Sequence, residues 1–147
     1  MSLLKPNSKT LFHIDFDWWK QNESDWHVFL RSLLCAEHQE AFSTIEEGEL
    51  IDWIDPVTAE VKSVDGIQHA LMSHCALQPD FANARTALVE AVFRIFIVNG
   101  NVPMNAEDIS KKLDRPALTI LRTIAGLRVY RGLRPFEVKS QIAEGSE

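Results

Sequence analysis

Cysteine is scarce in this chain, with two residues in 147, and the six glycines stand singly. Two thiols are too few for a disulfide framework. Scattered glycines leave no phosphate-cradling loop, and neither a G-x-S-x-G elbow nor an H-E-x-x-H helix occurs. Long apolar runs are missing as well. The longest, Ala91 to Val98, is interrupted by Arg94 and preceded by Glu90, far short of the roughly 20 residues that cross a bilayer. The opening MSLLKPNSKT has no extended apolar stretch ahead of a small-residue cleavage pattern, unlike a secretory signal. These absences predict a cytoplasmic protein that does not engage a membrane and is not an enzyme. In that compartment Cys35 and Cys75 stay reduced unless a metal holds them.

What is present is 46% apolar composition and an uneven charge. The net value is −6, yet residues 1–100 carry 7 basic and 15 acidic side chains, a balance of −8. Residues 101–139 carry 8 basic and 4 acidic, a balance of +4. A basic segment on an acidic chain marks where a polyanion would dock.

Along the chain, Phe12, Ile14, Phe16 and Trp18 alternate with polar residues and predict a half-buried strand over Leu11 to Trp18. Ser24 or Asp25 then caps a helix that buries Trp26, Phe29, Leu30, Leu33 and Leu34, with His27 and Arg31 turned away. Glu49 to Val64 reads as a β-hairpin about Asp55 and Pro56. A second helix is expected from Asp65 or Gly66 to about Leu77, stopped by Pro79. Ala84 to Val98 is apolar almost all round, so such a helix must be covered on two sides. Gly100 and Asn101 end it, and the terminal AEGSE is expected to be mobile.

The next helix, Ala106 to Leu113, is capped by Asn105, with Glu107 and Asp108 at its positive end. Asp114-Arg115-Pro116 breaks it, and Asp114 is expected to cap a following helix with Pro116 in its first turn. Ile120, Ile124 and Leu127 form the buried stripe of that helix. The segment AEDISKKLDRPALTILRTI resembles the helix-turn-helix of bacterial transcriptional regulators. Ile109, Leu113, Ile120 and Ile124 stand at the core positions of that pattern, and Ser110 at its small-residue position. Thr119 and Arg122 stand where its recognition helix carries Thr and Arg. Two departures are Asp114, where the family has Gly, and the apolar Ala117, Leu118 and Leu121 at positions that often face DNA. Arg128 to Pro135 alternates apolar and basic residues and looks like a wing strand or hairpin. The resemblance implies a winged helix-turn-helix. Thr119, Arg122 and Thr123 would then be readers of bases, and Lys111, Lys112, Arg115, Arg128, Arg131 and Arg134 would hold phosphates.

Cys35-x-x-His38 and His74-Cys75 together resemble a split zinc site, since zinc takes thiolate and imidazole in tetrahedral fours. Adjacent ligands at 74 and 75 are awkward on a regular helix, where neighbours diverge by about 100°. His69 or a carboxylate is the substitute for His74. The alternative is that both cysteines are small buried hydrophobes. Asp15 with Asp17 and Asp52 with Asp55 read as solvated acids, and Trp18, Trp19, Trp26 and Trp53 as core area.

The expectation is an α+β, mainly helical protein: an N-terminal helix and β-hairpin subdomain over 1–83, with the winged helix-turn-helix over 84–147. Its function is expected to be binding of double-stranded DNA in transcription regulation, mostly through the phosphate backbone. The alternatives are a protein-interaction module taking an acidic partner, and a scaffold stabilised by structural zinc. A homodimer is expected to suit paired half-sites.

Overall fold

The computed structural model describes residues 5–41, 50–81, 86–126 and 128–136. The fold is α+β, with about half of the described residues helical, in seven helices and two small antiparallel sheets. Glu49, Ala84, Leu127 and the terminal AEGSE lie outside the described residues.

The first strand, β1, covers only Phe12–Ile14, and the chain turns at once into α1, Phe16–Asn22. The expected strand to Trp18 is thus half helix. Asp15 is the reason: its carboxylate accepts from the Trp18 N–H and caps the helix, satisfying an otherwise orphan donor. Helix α2, Trp26–Ser32, follows, and its buried side chains are Trp26, His27 and Leu30. The expectation that His27 points outward is corrected. It is buried, with Nε2 3.8 Å from Asp65 Oδ2, which is also buried. A short α3, Ala36–Ala41, comes next.

The hairpin is present as β2, Leu50–Ile54, and β3, Val61–Asp65, paired antiparallel with Ile54 opposite Val61. Asp55 organises its turn by accepting from the Val57 and Thr58 N–H groups. Asp65 then caps α4, Gly66–Ser73, by accepting from Gln68 N–H. The helix stops four residues earlier than expected, and a 3-10 turn over Cys75–Leu77 follows it.

The C-terminal third holds α5, Leu88–Val98, α6, Ala106–Leu113, and α7, Ala117–Ile124, with each of the three touching the other two. Helix α5 ends as expected, with Gly100 at φ 76° and Asn101 at φ 62°. Asn101 also acts as a piece of strand: its amide accepts from Ile14 N–H at 2.8 Å and donates to Ile14 C=O at 2.9 Å. Helix α6 has a full capping box between Asn105 and Asp108. Asp114 does not cap α7. It closes α6 in the left-handed region at φ 55°, and Pro116 holds the N-cap position of α7. That left-handed position is the one glycine fills most cheaply.

The last strand, β4, Leu133–Pro135, pairs with β1. Strand β1 also bridges Met104 on its other side, through Phe12 N–H to Met104 C=O at 2.8 Å. The N-terminal strand is therefore the middle of a small sheet whose other members come from the C-terminal third. Gly132, at φ 82°, lets this happen, because a Cβ there would stand 3.0 Å from Asp15 C=O. One buried apolar cluster runs through the molecule, including Phe12, Trp19, Leu30, Leu71, Phe93, Ile109, Ile120 and Leu133. The doubly apolar α5 is central to it, with Val92, Phe93, Ile95, Phe96 and Ile97 all buried.

Candidate functional site

Two short stretches of chain build a four-ligand cluster. Cys35 immediately precedes α3, and Gln39 N–H donates to Cys35 C=O at 2.8 Å. This helical turn sets Cys35 and His38, three residues apart, on one face. The pair thus opens a short helix. On the other side, α4 ends and His74 adopts φ −135°, ψ −62°, outside the helical region. This break removes the difficulty of adjacent ligands, because residues 74 and 75 no longer follow one helical screw.

The four residues converge. Cys35 Sγ lies 3.3 Å from His38 Nδ1, 3.6 Å from His74 Nδ1 and 3.4 Å from Cys75 Sγ. All four donor atoms fall within 4.8 Å of one another. A tetrahedral ion with metal–sulfur bonds near 2.3 Å and metal–nitrogen bonds near 2.05 Å needs donor separations of about 3.3–3.8 Å. The three separations from Cys35 fall in that range, and a small inward shift of the wider-spaced donors, which lie within 4.8 Å, would let the four residues hold a metal ion. His69, the substitute, faces elsewhere, with its ring 5.4 Å from that of Trp53. Cys75 is buried, and Cys35 and His74 are partly covered. Burial, together with the nearby Cys35, pushes the Cys75 thiol up to about 11. Without a cation the Cys75 thiol therefore stays protonated at neutral pH. A cavity of about 410 Å³ borders both thiols, with Ser32, Gln78 and Arg94 in its wall.

The residues read from sequence as nucleic-acid contacts divide into two groups. Lys111 and Lys112 in the last turn of α6, Arg115 in the turn, Arg122 on α7 and Arg128 beyond it are exposed. None of them forms an ion pair among the described residues. Ser110 Oγ donates to Arg115 C=O and ties the turn together. Thr119 and Thr123 are half-buried, and Thr123 Oγ1 donates to Thr119 C=O at 2.9 Å. Arg131 and Arg134 instead engage the N-terminal half. The Arg131 guanidinium sits 3.7 Å from the centroid of the Phe29 ring, and Arg134 Nη1 donates to Asp15 Oδ2 at 2.9 Å. Sequence reasoning missed the buried His27–Asp65 pair joining α2 to α4. The spacing of His27 three residues before Leu30, also buried, was the available signal.

No helix among the described residues is long and apolar enough to cross a membrane. No protein-family model, no curated protein and no solved structure matches this chain.

Proposed function

We propose that this protein binds double-stranded DNA as a transcription regulator, docking α6 and α7 in the manner of a winged helix-turn-helix. The observation that carries this reading is the distribution of cations. Arg94 pairs with Glu90, Lys9 with Glu107 and Arg134 with Asp15, while Arg131 stacks on Phe29. Lys111, Lys112, Arg115, Arg122 and Arg128 remain exposed on and beside one pair of helices. Exposed cations at this density supply the counterion-releasing phosphate contacts that dominate DNA affinity. The apolar Leu118, 56% exposed, cannot read base edges by hydrogen bonding and suits a thymine methyl. The reading therefore expects modest sequence preference. Fluorescence anisotropy with random-sequence duplex tests it. Replacing Lys112 and Arg122 together by Glu should weaken binding at least tenfold, while the same substitutions with no effect would remove the reading.

The exposed Leu118 with the half-buried Ala117 and Leu121 also favours a second reading, a protein-interaction face that takes an acidic partner. No duplex binding at low salt, with capture of such a partner through α7, would select it.

The tetrad is proposed to hold structural zinc. Two thiolates and two imidazoles filling all four tetrahedral positions are the donor set of a closed structural site. Zinc would join the start of α3 to the end of α4, elements that otherwise share little covalent constraint. Metal analysis of protein purified without added metal should return about one zinc per chain.

A further inference from the structure

Four protein ligands close a zinc site to substrate, yet the cluster here is not sealed from solvent on its Cys35 side. Cys35 is only partly buried, and the cavity of about 410 Å³ that it lines also reaches Cys75. The cavity wall is mixed, with Ser32, Gln78, Asp80 and Arg94 set among apolar residues that include Leu34 and Phe81. Its size admits a small polar oxidant with room to spare. The sulfurs are 3.4 Å apart while their residues are 40 apart in sequence, so the fold alone brings them together.

We infer that Cys35 and Cys75 are an oxidant-responsive pair that hydroperoxides convert to a disulfide, releasing the metal. This inference rests on the zinc reading above. The more accessible Cys35 thiolate attacks a peroxide oxygen, forming an S–O bond as the O–O bond breaks. The departing hydroxide takes a proton, giving a sulfenic acid and one water. Cys75 thiolate then attacks the Cys35 sulfur, forming the S–S bond as the S–O bond breaks. A second hydroxide leaves and takes a second proton. In sum, two thiolates, one hydrogen peroxide and two protons give one disulfide and two waters, with the two electrons passing from sulfur to peroxide oxygen.

A disulfide sulfur has lost the negative charge that made it a zinc ligand. His38 and His74 alone cannot hold the ion tightly, so zinc leaves. The sulfurs must approach from 3.4 Å to about 2.05 Å, a movement that the end of α4 and the start of α3 can share. The consequence extends to α5, because Arg94 reaches from that helix to the Phe81 carbonyl at 3.2 Å beside the same cavity.

The test uses the intact, zinc-loaded chain treated with hydrogen peroxide in the presence of a chromogenic zinc indicator, followed by peptide mapping under non-reducing conditions. The expected result is release of about one equivalent of zinc together with a Cys35–Cys75 disulfide. Reductant and fresh zinc should reverse both. Zinc retained in excess peroxide overturns the inference. So does zinc release accompanied by sulfinic or sulfonic acids without the disulfide. If the purified chain carries no zinc and takes up none, the zinc reading itself fails, which separates the two claims. Chain stripped by a chelator is the control, and there the partly exposed Cys35 should alkylate well ahead of the buried Cys75.

Discussion

Stripping zinc from the tetrad should cost the protein about 4 kcal/mol of stability. The figure follows from the span of the clip. Cys35 and Cys75 are 40 residues apart, and cross-linking a loop of that length removes roughly 4 kcal/mol of chain entropy from the unfolded state. The separations of 3.3, 3.4 and 3.6 Å from Cys35 already suit a tetrahedral ion, and strain from closing the wider ones, within 4.8 Å, would lower the figure. For a chain of this size, 4 kcal/mol corresponds to a fall in Tm of about 12 °C. Circular dichroism melts of zinc-loaded and chelator-stripped protein, at one concentration and with residual metal measured in each, read this directly. Chelation should also release α3 first, because none of its side chains is buried. A shift below about 3 °C with one zinc removed per chain would refute the reasoning. It would mean that the continuous apolar core and the His27–Asp65 pair already fix the two stretches.

Three further outcomes test the fold around β1. Asn101→Ala should cost about 2–4 kcal/mol, because it removes two hydrogen bonds to Ile14 and leaves a Cβ-bearing residue at positive φ without compensation; chemical denaturation measures it. Gly132→Ala should destabilise by about 1–3 kcal/mol, since φ is 82° and the new Cβ would meet Asp15 C=O at 3.0 Å. The loss should appear as faster amide exchange in β1 and β4. Burial lowers the His13 pKa, opposed in part by Asp15. The neutral form is therefore favoured in the fold, so its stabilising contribution is present above the unfolded value near 6.5 and is lost as pH falls through the lower folded value. Stability measured from pH 7 to 5 should fall less steeply in His13→Gln.

The parts of this molecule that were legible in sequence are those with local causes. Asn105 with Asp108 declares the start of α6, Gly100-Asn101 the end of α5, and Asp55 the hairpin turn, each through hydrogen bonds within a few residues. The four residues of the Cys/His cluster were legible as a candidate too, since cysteine and histidine in paired positions carry their chemistry in their identity. Their geometry was less so. The break at His74 that lets neighbouring ligands converge is a helix end with no proline or glycine to announce it. The strand read over Leu11 to Trp18 failed at Asp15, because apolar residues at 12, 14, 16 and 18 keep period two even where a cap starts a helix. Least legible was the place of β1 between Met104 and β4. Non-local pairing leaves no local pattern, and the alternation in Arg128 to Pro135 suited a hairpin of its own equally well. For the same reason Arg131 and Arg134 looked like wing cations, although Phe29 and Asp15, more than a hundred residues earlier, engage them.

The most direct test of the DNA-binding account is the salt dependence of duplex affinity. Five exposed cations, Lys111, Lys112, Arg115, Arg122 and Arg128, acting on five phosphates predict a slope of about −4.5 in log affinity against log salt. Affinity for a labelled random duplex should thus fall about 500-fold between 50 and 200 mM salt. Absence of binding at 50 mM salt, or a slope near zero, would contradict the account.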